Sequence, residues 1–177
     1  MKPIALKTLV RGEKARLRDL SPEARLRIEV ELQAPGDPSF DAGVFGIDEA
    51  GLWSDRQFGL LGDRKASPCN SVVRTDTALG ADFVVDLDRV PAWIQRLAFV
   101  SVLKERRMSR ITAGHFRVHD SQWIAADFPF TGEMFNHEKA VILAELYRRD
   151  GWRIAAVGQG FALGLPGLLR HFGRTSL

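Results

Sequence analysis

The chain has 177 residues, 45% apolar and 27% charged, which excludes a disordered polymer and leaves enough apolar side chains for a full core. Lys and Arg outnumber Asp and Glu by 25 to 22, an excess too small to imply nucleic-acid binding by itself. A single cysteine, Cys69, rules out an internal disulfide and fits a reducing, cytoplasmic setting.

Most of the chain reads as strand. Leu26 to Leu32 alternates apolar residues with Arg27, Glu29 and Glu31, the period-2 pattern of a half-buried strand. Val44–Ile47 and Phe58–Leu61 are short apolar runs, while Phe83–Leu87 and Leu97–Leu103 are denser and suit strands in an interior. Phe116-Arg117-Val118 and Trp123–Phe128 form a further strand pair, and Ala140–Tyr147 with Trp152–Val157 completes the set. Turn signals at Pro35-Gly36-Asp37-Pro38, Glu49-Ala50-Gly51, Ser67-Pro68-Cys69-Asn70, His119-Asp120-Ser121 and Asp150-Gly151 separate the runs. Helix is scarce: one turn after Val90-Pro91, and a short helix over 163–172 that stops at Gly173. Residues 174–177 read as a loose tail. Short strands at this spacing predict an antiparallel sandwich or barrel. No repeat or linker divides the chain, so residues 1–177 are expected to form one domain. No run approaches the roughly 20 apolar residues of a membrane-spanning helix, and Met1-Lys2-Pro3-Ile4 lacks the apolar run of a signal peptide.

The stretch from Ala144 to Phe161 is the most informative. Two apolar strands flank Asp150-Gly151, which predicts a hairpin with a two-residue turn of positive φ. Gly158 and Gly160 then allow close backbone approach as the last strand gives way to the tail.

Several segments share an order with a known family. Leu9-Val10-Arg11-Gly12-Glu13-Lys14 resembles its opening segment, and Ser39-Phe40-Asp41-Ala42-Gly43-Val44-Phe45 its Asp-x-Asp motif. Phe58–Ser71, Val85–Pro91, Glu145–Arg148, Trp152–Gly160, Gly164-Leu165 and Phe172-Gly173 follow in sequence. On these segments the chain resembles the tellurium-resistance (TerD-type) bacterial stress-protein family. The resemblance implies an all-β fold, an antiparallel β-sandwich of two packed sheets with a short C-terminal helix. It also implies a role in chemical-stress response and, in many members, calcium binding.

The calcium ligands implied by the resemblance are thin here. Calcium takes about 6 to 8 oxygen ligands. In the Asp-x-Asp segment the first acid is Ser39, and the second survives as Asp41. The acidic loop corresponds to residues 74–82, which keep only Asp76 and Asp82. Asp41, Asp76 and Asp82 are therefore the candidate metal ligands, too few for two tight sites. The plainer reading of the three acids is that they solvate turns and strand ends.

Other constellations carry less. His115 and His119 have the spacing of helical zinc ligands, but on a strand they lie roughly 13 Å apart and cannot directly chelate one ion. His137 and Asp120 add no pattern. The run Lys104 to Arg110 is the most basic and could meet an anionic surface, although a solvated loop is the simpler account. Cys69 has no neighbouring histidine in sequence, and Gly158-Gln159-Gly160 lacks the Lys-Ser or Lys-Thr of a phosphate loop. The expectation is a non-enzymatic scaffold or binding module, partnered by related family proteins or a membrane-associated stress complex, with weak or lost calcium binding and no certain cofactor. The alternative is a calcium- or small-molecule-responsive sensor with a pocket in the sandwich.

Overall fold

The computed structural model describes residues 5–36 and 40–177. It contains twelve strands: β1 (Lys7–Thr8), β2 (Lys14–Arg16), β3 (Arg25–Gln33), β4 (Phe40–Ile47), β5 (Gly59–Leu60), β6 (Val72–Thr77), β7 (Gly80–Asp86), β8 (Arg96–Leu103), β9 (Ala113–His119), β10 (Ile124–Phe130), β11 (Ala140–Arg148) and β12 (Trp152–Phe161). Two helices join them, α1 (Leu17–Leu20) and α2 (Leu165–His171). The strands form two six-stranded sheets, ordered β1-β10-β9-β3-β7-β6 and β2-β12-β11-β8-β4-β5. The expected sandwich is thus borne out, with one parallel pair, β1 with β10, among antiparallel neighbours.

Alternation explains the first sheet. On β3 the side chains of Leu26, Ile28, Val30 and Leu32 are buried, and on β7 those of Ala81, Phe83 and Val85. Their partners across the sandwich come from β4, β8, β11 and β12. The second sheet is buried on both faces, because α2 packs Leu168, Leu169 and Phe172 against Phe45, Val100 and Ile142 on its outer side. That second layer is why β8 and β11 read as continuous apolar runs rather than alternating ones.

Four sequence readings are corrected. The segment taken for an acidic loop, 74–82, is a hairpin: β6 pairs with β7 around Ala78-Leu79. Gly158 and Gly160 lie inside β12, not beyond it. Residues 174–177 are tied down, with Arg174 donating to the carbonyls of Trp53 and Ser54, and Arg56 to that of Leu177. The last hairpin turn is one residue longer than expected. Its final ladder pair is Arg148 with Trp152, so the loop is Arg149-Asp150-Gly151. The cause lies upstream: the register slips by one between Ile142 and Ala144, where Gly158 at φ +63 forms a bulge. The slip puts both Leu143 and Ala144 into the core.

Positive φ is still required at the tip, at Asp150 (φ 53) and Gly151 (φ 93). A Cβ on Gly151 would meet nothing within 4 Å, so any penalty there is purely backbone strain. Gly151→Val is expected to lower stability by about 1 kcal/mol or more, read as a drop in melting temperature. An unchanged melt would show that the loop relaxes to negative φ.

Candidate functional site

The three acids singled out by sequence do not meet at one point. Asp41 is the second residue of β4, in the second sheet, and Asp76 sits on β6, in the first. Both line one cleft of about 390 Å³ at the rim, together with Asp63, Lys65, Arg74 and Lys104. Asp82 lies on the far face of its sheet. It is paired with Thr75, one residue off Asp76, and successive residues on a strand point to opposite sides. There Asp82 accepts from Arg27 Nη1 at 3.1 Å.

Asp41 and Asp76 each already face a cation. Asp76 is 2.8 Å from Lys65 Nζ and 2.9 Å from Arg74 Nη2. The hydrogen bond from Lys65 and the charge of Arg74 hold its carboxyl below the usual range, against a smaller opposing effect of burial. Asp41 faces Lys104 Nζ at 3.8 Å. Ser39, the position of the family's first acid, lies outside the described residues.

Arg74 is the structural centre of this rim. It is buried, and from the first sheet it reaches the second: Nε donates to the Ala42 carbonyl at 2.7 Å and Nη1 to that of Gly62 at 3.0 Å. Sequence reading missed this role, along with Asp63 and Lys65, because it took 74–82 for a loop. Reading Val72–Thr77 as a strand would have exposed the parity that separates Asp76 from Asp82.

The basic run forms a second concavity, about 800 Å³, lined by Arg106, Arg107, Arg110 and His137. Met108 is fully buried and pins the loop. Arg107 Nη1 donates to His137 Nδ1 at 2.9 Å, and Arg106 donates to the Pro35 carbonyl. Neither partner is a carboxylate, so the two guanidiniums remain available to an anion, although Glu105 lines the same concavity.

Cys69 is half-buried, and its thiol donates to Ser71 Oγ at 3.0 Å. Burial pushes the thiol up, but its hydrogen bonds with Ser71 and Ser67 outweigh this and hold it below its ordinary value. Its partners are two serines and the Arg89 carbonyl, not an imidazole base. Two of the tryptophans act as anchors, while Trp93 and Trp123 are exposed. Trp53 is buried under α2, and Trp152 packs at the core edge beneath Arg148, whose guanidinium carbon is 4.4 Å from the ring centre.

The outer face of the first sheet carries a separate polar network. His115 and His119, both on β9, share that face, and Glu29 of β3 lies between them. Glu29 Oε1 is 2.7 Å from His115 Nε2, and Oε2 is 3.4 Å from His119 Nε2. Burial pushes Glu29 up, but hydrogen bonds from His115 and Arg27 more than reverse this. His119 is depressed, first by burial and then by Arg27.

Two packed sheets with an apolar interior, and with these polar groups on rims and outer faces, define a β-sandwich. The TerD domain profile matches residues 6–172, and the chain belongs to that family, as its motifs led one to expect. It is 31% identical over 99 residues to chemical-damaging agent resistance protein B of Clostridium acetobutylicum, covering 52% of this chain and 71% of that protein. It is 33% identical over 97 residues to the tellurium resistance protein TerD of Serratia marcescens, covering 50% of each. It thus spans about half the length of that second relative. A solved homologue of telluride resistance protein (TerD) from Streptomyces coelicolor A3(2) superposes with a TM-score of 0.60 over 77% of this chain and 89% of that one. At 13% identity that likeness is one of fold. No helix among the described residues is long and apolar enough to cross a membrane.

Proposed function

We propose that this chain is a non-enzymatic scaffold or binding module of a chemical-stress response, with weak or lost calcium binding. It assembles with related family proteins, and its basic loop Lys104–Arg110 meets an anionic surface such as the inner face of a membrane. The family and the names of its relatives support the stress role. The observation that carries the calcium reading is the rim cleft: Lys65, Arg74 and Lys104 occupy the charge field of Asp76 and Asp41, so a divalent cation must displace built-in partners. Phe83, Phe99 and Phe116, all fully buried, fill the space between the sheets and favour a scaffold over a sensor with an interior pocket.

Calorimetry on micromolar protein tests this. Calcium is expected to give no saturable heat below about 100 µM, outside the ~0.1–10 µM range of calcium sensors. Capture of related family proteins on immobilised chain is expected to persist in a calcium chelator. Tight binding that disappears in Asp41→Ala, or capture that requires calcium, would make a calcium-regulated sensor the better account.

A further inference from the structure

We infer that the outer face of the β3–β9 pair holds a three-ligand site for a borderline divalent transition metal, formed by Glu29, Glu31 and His115. The cross-strand register builds it. Glu31 stands directly opposite His115, Glu29 opposite Arg117, and Arg27 opposite His119. Alternate residues share a face, so all six side chains emerge on one side of the sheet. The donor atoms of Glu29, Glu31 and His115 lie within 4.8 Å of one another. Their side chains are 16%, 28% and 16% exposed, open enough for an ion to enter and dry enough to hold it.

Charge favours a cation despite the two arginines. Arg27 reaches Asp82 at 3.1 Å and Glu29 at 3.2 Å, and Arg117 reaches Asp127 at 3.2 Å and Glu29 at 3.5 Å, so an ion at Glu29 competes with both guanidiniums. With neutral imidazoles, Glu29, Glu31, Asp82 and Asp127 still outweigh the two arginines by two negative charges, which a divalent ion cancels. The nitrogen ligand sets the class: imidazole with carboxylate suits zinc and its neighbours, whereas calcium takes only oxygen.

Geometry supplies an independent sign. Bonds of about 2.0–2.1 Å in a tetrahedral site place donor atoms about 3.3 Å apart. His115 Nε2 is 3.6 Å from Glu31 Oε2, already near that spacing, but 2.7 Å from Glu29 Oε1. Glu29 must therefore draw back slightly, and it has a place to go. His119 Nε2 is buried without a hydrogen-bond partner. Arg27 Nη2 lies 3.1 Å from His119 Nδ1 and can only donate, so in the neutral ring the proton sits on Nε2, facing Glu29 Oε2. Moving Glu29 toward His119 satisfies that donor and opens the ion's position. His119 is thus a positioning residue and not a ligand, and the fourth coordination position faces solvent.

Chelator-dialysed protein titrated with zinc, by calorimetry and by competition with a chromophoric chelator, tests the assignment. One equivalent is expected to bind at micromolar or lower concentration. His115→Asn should weaken binding about 100-fold and Glu31→Gln about 10-fold, while Asp41→Ala and His137→Asn leave it unchanged. Should His115→Asn fail to fold, Glu31→Gln carries the test alone. The ring nitrogen signal of His115 should shift on zinc addition. No saturation below about 1 mM, or equal affinity in Glu31→Gln and the parent, overturns the site. Either result leaves the calcium reading of the rim cleft untouched.

Discussion

Phe99→Ala is expected to remove about 3–5 kcal/mol of stability, a large share of the ~5–15 kcal/mol a domain of this size possesses. Phe99 is fully buried at the middle of β8 and spans the gap between the sheets. Its ring meets Phe83 of β7 edge-on at 5.3 Å and Phe116 of β9 at 5.2 Å. Truncation loses the transfer energy of the ring, leaves a void bounded by two rigid sheets, and breaks two aromatic contacts of about 0.5–1.5 kcal/mol each. The measurement is the denaturant midpoint at unchanged slope. Trp123→Ala is the control: that side chain is 51% exposed, and its loss should stay within about 0.5 kcal/mol. A loss below about 1.5 kcal/mol in Phe99→Ala would show that the sheets close over the void.

Arg74→Ala is expected to cost about 2–4 kcal/mol. The charge pair with Asp76 is not the reason, since Asp76 is 61% exposed and water screens it. The reason is the Ala42 carbonyl, together with the packing of the buried arginine stem. Ala42 loses its donor at a buried point between the sheets, and an unsatisfied buried acceptor costs about 1–3 kcal/mol, whereas the Gly62 carbonyl keeps Lys65 Nζ at 2.9 Å. Lys65→Met removes the other cation on Asp76 from a side chain that is 45% exposed, and should change stability by less than about 1 kcal/mol. Equal losses in the two variants would mean that surface charge, not the carbonyl clasp, holds this edge.

Much of the fold is legible in the sequence wherever a strand has one wet face. On β3 the outward Arg27, Glu29 and Glu31 mark the alternation, and β7 alternates in the same way. β6 escaped because Arg74 and Asp76 occupy inward positions where apolar residues are expected. They can do so because the sheets part at that edge and backbone carbonyls of the other sheet satisfy the arginine. The four-residue helix α1 was too short for any period to show. The turn at Gly151 was legible, but its length was not, because a bulge further along β11 and β12, at Gly158, sets the register.

The candidate sites divide along the same line. Asp41 and Asp76 were visible as acids, and the structure places both on one cleft. Their cations were not visible, since Lys65 and Lys104 arrive from other loops. His115 and His119 were set aside because two positions four apart on a strand cannot meet. That argument holds along one strand and says nothing about the neighbouring one, which places Glu29 between them.

Local chemistry in the chain was enough to determine extended structure, the glycine-dependent hairpin, the family, and which residues carry charge. Those follow from side-chain period, turn φ and short-range order, all of which act within a few residues. Tertiary structure alone decided which acid meets which base, which strand is covered by α2, and where Arg74 finds its carbonyls. Such pairings join residues tens of positions apart, and only the register and stacking of the two sheets bring them within hydrogen-bond reach.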